Sequence, residues 1–294
     1  MTPYSEPSGM THREIIDLFK LRIGVLMALT AVAGYVITPG IRLSSPELLL
    51  LALVVLGASA AAGAFNQFAE HDLDAKMKRT AKRAFVTGAA TPDRRWLGLI
   101  AALLLVSVTL AGWAFNVAVA FHVFMGAFFY GVIYTLWLKR RTPLNIVIGG
   151  AAGSFAVLAG AAAADPGLSP DSALLAMVLF LWTPPHFWAL AIALHKDYAN
   201  AGVPMLPVVK GDAAAARVIL LNTVLLCAVS LLPFLFSMGW IYLCGALAGG
   251  AYFIYRSAQL VASPTREAAL KCFVASLFQL SAVLLAAMVD VFAR

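Results

Sequence analysis

Asn66, Glu70 and Asp74 follow one another at i, i+4 and i+8 in the stretch Asn66-Gln-Phe-Ala-Glu70-His-Asp72-Leu-Asp74-Ala-Lys76-Met-Lys78-Arg79-Thr-Ala-Lys82-Arg83. At about 100° per residue this spacing predicts one helix face carrying an amide oxygen and two carboxylates. Hard oxygen donors that leave coordination positions open suit Mg²⁺ shared with a diphosphate. Asp72 points away from the stripe and is the weaker candidate. Arg79 and Arg83 are again four apart, and a guanidinium presents a planar fork of donors to phosphate oxygens. The competing reading is a solvated loop with surface ion pairs. Against it, the carboxylates begin inside the edge of an apolar run, where an ionisable group is costly and marks function.

Two further stretches carry chemistry. The first is Trp182-Thr-Pro-Pro-His186-Phe-Trp, running on to Asp197. Pro184 and Pro185 are expected to break a span, and irregular backbone at membrane depth lines a cavity. His186 directly follows; a neutral imidazole there could ligate iron or hydrogen-bond a substrate. It could equally be satisfied by a neighbouring helix, and residue type alone does not choose. Asp197 offers a further carboxylate to a metal, or is a plain loop charge. His122 reads as packing. The second stretch holds Tyr130 and Tyr134, then Lys139-Arg140-Arg141. Lys139 and Arg140 could reach a diphosphate from the same side, with membrane anchoring as the alternative; Arg141 reads as an anchor.

These groups need a scaffold, and composition defines its class. Of 294 residues 62% are apolar and 12% charged, against about 25% charged in soluble domains. Apolar runs near twenty residues recur throughout, each long enough to span hydrocarbon. Alternating strand patterns are absent, so the expectation is an all-α polytopic membrane protein. Spans are predicted at 21–38, 48–68, 96–114, 117–138, 146–164, 172–194, 218–236, 241–259 and 270–292, after an N-terminal segment 1–20. Residues 96–138 would make a helix about twice the membrane's thickness, so the chain must turn, and Asn116 is the expected place. Residues 218–259 are expected to turn near Ser237–Gly239 for the same reason.

With the N-terminus inside, nearly every Lys and Arg falls on one face, leaving Arg42 and Arg294 outside. That asymmetry predicts a cytoplasmic N-terminus and an external C-terminus. The net charge of +7 therefore reads as positive-inside bias rather than a nucleic-acid surface. Cys227, Cys244 and Cys272 show no paired spacing and read as small buried hydrophobes. Residues 1–20 lack the apolar core of a secretory signal. Residues 69–95 and 195–217 form the two long inner loops, and long ordered loops are often functional.

Together these stretches resemble the UbiA-type intramembrane prenyltransferases and, within them, the protohaem IX farnesyltransferases. The likeness rests on Asn66-x-x-x-Glu70-x-x-x-Asp74 with Met77, Arg79, Thr80 and Arg83, and on Tyr134-Thr135 with Leu138-Lys139-Arg140-x-Thr142-x-x-Asn145-Ile-Val-Ile-Gly-Gly. It rests too on Trp182-Thr-Pro-Pro-His-Phe-Trp and on Asp197-Tyr-x-x-Ala-Gly-Val-Pro-Met-Leu-Pro. The resemblance covers 21–294. It implies a nine-helix bundle around a lipid-open cavity with cytoplasmic cap loops, in a bacterial inner membrane. The implied activity is Mg²⁺-dependent transfer of farnesyl from farnesyl diphosphate to a vinyl group of haem b, giving haem o for terminal oxidases. Asn66, Glu70, Asp74 and Asp197 would serve the metal. Arg79, Arg83, Lys139, Arg140 and Tyr134 would serve the diphosphate region, and His186 the haem. Membrane lipid, a haem a synthase and oxidase assembly factors are the partners in keeping with it. Two departures stand out: the second aspartate motif is reduced to Asp197, which leaves a second Mg²⁺ without its ligand set, and Ala84 replaces a proline after Arg83.

The rival readings are a relative with an aromatic acid or chlorin acceptor, a secondary transporter, and an oxidase assembly scaffold. A transporter would place charges at the midplane and show inverted repeats, and neither is visible.

Overall fold

The computed structural model describes residues 10–294; the predicted absence of a signal at the extreme N-terminus concerns residues that lie partly outside this range. A short helix α1 (His12–Leu18) leads into α2 (Leu21–Ile37) and α3 (Ser45–Ala69). Two single turns, α4 (His71–Asp74) and α5 (Ala84–Thr87), punctuate the first long loop before α6 (Arg94–Ala114). Helix α7 (Val117–Phe128) continues without a break as a π-helix over Phe129–Leu138. Next come α8 (Asn145–Gly149), α9 (Ala151–Ala164), α10 (Pro170–Ala193), α11 (His195–Asn200) and α12 (Leu206–Lys210). The chain ends with α13 (Asp212–Leu231), extended by a 3₁₀ turn Leu232–Leu235, then α14 (Trp240–Ala262) and α15 (Arg266–Phe292).

Seven of these units are long and apolar enough to cross a membrane. Leu21–Ile37, apolar but 17 residues long, and the less apolar α14 pack beside them, so each of the nine expected spans has a helix among the described residues, seven of them long and apolar enough to cross. The turns fall where length demanded them. Asn116 caps α7 by accepting from Val119 N–H at 2.9 Å, and the α13–α14 turn lies at 236–239. Other helix starts carry their own caps: Ser44 with Glu47 form a capping box, and Asp93, Ser169 and Thr265 accept from first-turn amides, which satisfies donors that lipid could not. Asp290, near the end of α15, accepts from the amides of Gly239, Ile241 and Tyr242 at 2.7–3.2 Å and so caps α14.

The surface inverts the pattern of a soluble protein. Leu105 and Leu221 are 67% and 73% exposed, while the interior is filled with alanine and glycine. Without a hydrophobic drive in lipid, close backbone contact holds helices together. A methyl added at Gly34 would strike the Val157 carbonyl, and one at Gly160 the Ala31 carbonyl, so α2 and α9 pack backbone to backbone. One apolar core joins α2, α3, α6, α7 and α9; another is centred on α10, α13, α14 and α15. In the second core Thr223 meets Ser257 at 3.2 Å and Gln279 donates to Ser230 at 3.4 Å. Cys227 and Cys272 are buried as expected, but Cys244 is exposed.

The prolines of α10 do not break it. Pro184 and Pro185 lie inside a continuous helix of 24 residues. They are buried against neighbouring helices, and the Thr183 hydroxyl donates to the Leu179 carbonyl at 2.9 Å. Tertiary packing and such local bonding carry a helix across prolines in a membrane.

Candidate active site

Polar side chains gather at one end of the bundle, where α2 begins, α3 ends and the π-helix ends. The predicted stripe is not one straight helix. Helix α3 stops at Ala69, Glu70 leaves helical geometry, and Asp74 belongs to α4. The stripe survives because the Glu70 amide still donates to the Asn66 carbonyl at 3.0 Å and the Asp74 amide to the Glu70 carbonyl at 2.8 Å. Asn66, Glu70 and Asp74 are each no more than 2% exposed.

Each carboxylate has a cation on one oxygen. Lys139 Nζ donates to Glu70 Oε2, and Arg83 Nη1 donates to Asp74 Oδ2 at 2.6 Å. The loop is pinned back onto the site by Thr80, whose hydroxyl donates to the Asp74 carbonyl at 2.9 Å. The second oxygens, Glu70 Oε1 and Asp74 Oδ1, are buried with no hydrogen-bond partner. Leaving such atoms unpaired is expensive, and two hard anionic oxygens at a mouth fit Mg²⁺. Among the described residues no group of three or more His, Cys, Asp or Glu could hold a metal. A metal here would therefore take its remaining ligands from something other than protein carboxylates, as a bound diphosphate would provide.

The π-helix aims the other wall. Its wider i→i+5 turns appear in the Lys139 amide donating to the Tyr134 carbonyl at 2.9 Å and in Thr135 Oγ1 donating to the Tyr130 carbonyl at 2.8 Å. Such stretches concentrate at functional sites. This register turns Tyr130, Thr135 and Lys139 inward together. Tyr130 and Tyr134 stack at 5.8 Å, and Lys139 lies 5.7 Å over the Tyr134 ring.

Lys20 was not singled out by sequence and is central to the geometry. It adopts a left-handed backbone (φ 50°) at the N-cap of α2, a costly conformation for a non-glycine residue. Its ammonium donates to Asn66 Oδ1 at 2.5 Å and to Tyr130 Oη at 2.8 Å. Asn66 Nδ2 donates to Thr135 Oγ1 at 3.0 Å. Asn66 is thus engaged at both ends, and the free ligand oxygens here are those of Glu70 and Asp74 rather than the expected trio. Burial first, then the charges of Arg83 and Lys139, push Lys20 well below the usual lysine value, while Glu70 and Asp74 oppose. The signal for Lys20 was present as a cation at the very edge of an apolar span, but anchoring lysines look the same.

Other predicted residues fall elsewhere. Arg140 points to solvent and forks onto exposed Asp72 at 2.7 and 2.9 Å, so it is already paired outside the buried cluster. That pairing holds the Asp72 carboxyl below its usual range. Arg79 is exposed, lining a polar opening with Glu14, Asp17, Gln67 and Arg83. Asp197 is half-buried and, among the described residues, makes no ion pair. His186 is not gathered into the cluster. It is packed between Trp182 (4.1 Å) and Phe273 (4.4 Å), with Nδ1 2.7 Å from Ser276 Oγ on α15.

Below the cluster, α2, α3, α7 and α9 line an apolar cavity. Lys20 and Tyr130 belong to both the polar cluster and the cavity rim. A charged mouth thus opens into an apolar chamber, an arrangement suited to an amphiphile with an anionic head and a hydrocarbon tail.

The chain belongs to the UbiA prenyltransferase family, whose model matches residues 27–283; it is a multi-pass membrane prenyltransferase. Within that family it is 54% identical over 277 residues to protoheme IX farnesyltransferase 2 of Paramagnetospirillum magneticum, covering 94% of this chain and 96% of that one. It is 46% identical to protoheme IX farnesyltransferase 1 of the same organism, over 96% and 99% of the two chains. The fold is shared with a digeranylgeranylglyceryl phosphate synthase (TM-score 0.80, 20% identity, 96% and 99% covered). It is also shared with a UbiA homolog from Archaeoglobus fulgidus bound to DMAPP and Mg²⁺ (TM-score 0.67, 16% identity, 92% and 99% covered).

Proposed function

We propose that this prenyltransferase moves a farnesyl group from farnesyl diphosphate to a vinyl group of haem b, with water supplying a hydroxyl, to give haem o and diphosphate. The names of its relatives supply the substrates. The observation that carries the reading is the pair of unpartnered buried oxygens, Glu70 Oε1 and Asp74 Oδ1, flanked by Lys139 and Arg83 above an apolar chamber.

Glu70 and Asp74 would hold Mg²⁺, and the metal supplies charge neutralisation to the diphosphate. Lys139, Arg83 and Lys20 place three cations around the same point, with Arg79 at the opening. They stabilise negative charge as the allylic C–O bond breaks and its electron pair leaves on the diphosphate. The apolar walls keep water from the allylic cation. The haem vinyl π electrons then form the new C–C bond. The resulting cation beside the pyrrole takes water and loses a proton. His186 is assigned here to packing rather than to haem. The clustering of Lys and Arg at this end supports an N-terminus in the cytoplasm of a bacterium, with the protein in its inner membrane. Haem a synthase or an oxidase assembly factor would receive the product.

The test is incubation of the purified, lipid-reconstituted protein with haem b, farnesyl diphosphate and Mg²⁺, followed by mass measurement of the pigment. The expected pigment gains one farnesyl group and one hydroxyl group, and the gain disappears with chelator and in Glu70→Gln and Asp74→Asn. Prenylation of 4-hydroxybenzoate with haem b untouched would overturn the acceptor assignment.

A further inference from the structure

At its deep end the apolar cavity runs up against packed helices, and its depth follows from helix geometry. Lys20 and Tyr130 mark the rim. On α7 and the π-helix that continues it the lining runs from Tyr130 to His122, on α3 from Gly63 to Val55, and on α2 from its N-cap Lys20 to Met27. Seven or eight residues at 1.5 Å each give a depth of about 10–12 Å below the rim, room for about two extended isoprene units, with the unit that bears the diphosphate lying in the mouth above them.

What stops the cavity is a specific packing event. Its last lining residue on α9 is Ala159, and the next residue is Gly160. Gly160 lies so close to the Ala31 carbonyl that no side chain fits between them. Ala31 is one helical turn beyond Met27, so α2 and α9 meet at the level where the lining ends. Val55, Val123 and Ala159 belong to the packed core beneath, all of them buried, with Met27 resting on it. The floor is therefore the top of a close-packed layer, which cannot recede without opening a void.

We infer that Met27, Val55 and Val123, backed by the Gly160–Ala31 contact, measure the isoprenoid tail and set the chain length this enzyme accepts. The inference rests on the proposed prenyl-transfer reading and adds the specificity-determining floor. A diphosphate held at Glu70, Asp74 and Lys20 fixes one end of the substrate. A tail one isoprene unit too long must then bend out or lift its head from the site, and one unit too short leaves the floor uncontacted. Discrimination by a few carbons in an apolar pocket is worth about 10- to 200-fold.

The test presents the reconstituted protein with haem b and an equimolar mixture of geranyl, farnesyl and geranylgeranyl diphosphates, with products weighed by mass. The wild type is expected to favour the farnesyl product over either neighbour by about tenfold or more. Met27→Ala deepens the floor and is expected to raise the geranylgeranyl-to-farnesyl product ratio about tenfold. Val123→Phe fills it and is expected to shift the preference toward geranyl. Unchanged ratios in both active variants would overturn the inference while leaving prenyl transfer intact. A wild type that prenylates no haem would instead overturn the functional reading. In that case competition among the three prenyl thiodiphosphates with Mg²⁺, read by thermal shift on wild type and Met27→Ala, still decides the floor. Loss of the C15 optimum in Met27→Ala supports it, and identical chain-length profiles overturn it.

Discussion

Lys20 Nζ lies 2.5 Å from Asn66 Oδ1, joining the first residue ahead of α2 to the inner end of α3. The contact places a buried ammonium on the rim shared by the polar cluster and the apolar cavity. Gly63 makes room for it, since a methyl there would lie 3.1 Å from Lys20 Cβ. Lys20→Met keeps much of the volume and removes the charge. It is expected to lower kcat/KM for farnesyl diphosphate about 10- to 100-fold, the worth of one charge-assisted hydrogen bond. KM for haem b should stay unchanged. Steady-state kinetics with each substrate varied in turn separates the two, and an unchanged farnesyl diphosphate dependence would remove Lys20 from the site.

Lys139 and Arg140 are neighbours in sequence with opposite fates, and mutation should separate them. Lys139→Ala leaves Glu70 as a buried carboxylate without its cation, so turnover is expected to fall about 100-fold or more. Arg140→Ala breaks an exposed pair and is expected to change turnover less than about twofold. The Asp72 carboxyl is lowered by its hydrogen bond from Arg140. Its contribution to stability is therefore complete above the ordinary carboxylate pKa and is lost as pH falls through the lowered value. Between about pH 6 and 8 the wild-type and Arg140→Ala stabilities should run parallel, converging only in acid. Thermal melts across pH check this.

His186 is held by α15, and its loss should be read as loss of packing. Ser276→Ala leaves the buried His186 Nδ1 without its partner and is expected to cost about 1–3 kcal/mol; His186→Ala leaves Ser276 still donating to the Phe273 carbonyl and is expected to cost a similar amount through the cavity between Trp182 and Phe273. The optical spectrum of bound haem b should be the same as in wild type. A shifted Soret band in His186→Ala alone would show instead that the imidazole reaches iron.

The helices of the bundle, seven of them long and apolar enough to span, and the carboxylate stripe were legible for simple reasons. Apolar length fixes a membrane helix, and a spacing of four fixes a face whether or not the helix continues past Glu70. Which of Lys139 and Arg140 turns inward was not legible, because the π-helical register of Phe129–Leu138 adds a residue per turn that no periodicity reveals. Pro184 and Pro185 misled for a related reason: local propensity argues for a break, and neighbouring helices overrode it. Lys20 could not be told from an anchoring lysine, because its partner Asn66 lies 46 residues away. The chamber was expected, but its walls come from four separate helices and follow only from how these pack.

The α2–α9 crossing supplies a stability prediction with its own control. Gly160→Ala drives a methyl into the Ala31 carbonyl and is expected to cost about 1–3 kcal/mol or more through overpacking. Gly98→Ala, on α6, meets nothing within 4 Å. It is expected to be neutral or to stabilise by up to about 1 kcal/mol through helix propensity. Thermal unfolding in one detergent compares the two directly. Equal effects would mean that the crossing is looser than the backbone contact implies.

Gly149 connects a stretch whose purpose sequence left open to the geometry of the site. A methyl on Gly149 would lie 2.8 Å from Tyr134 Cδ2, closer than packed atoms tolerate. The aromatic ring sits beside Lys139 and stacks on Tyr130, so its position bears on Lys139 directly and, through Tyr130, on Lys20. Neighbouring Gly150 has a similar reason, since its methyl would lie 2.9 Å from Thr183 Cβ on α10. Gly149→Ala should therefore push the Tyr134 ring toward the cluster while the helices stay in place. Misplacing groups in a site by about an ångström can cost on the order of 100-fold in rate. The expected result is that scale of loss in kcat with a melting temperature near wild type. Tyr134→Ala should then relieve the clash, so the double variant should be no slower than Tyr134→Ala alone. A double variant markedly slower than Tyr134→Ala would mean that Gly149 acts through some contact other than this ring.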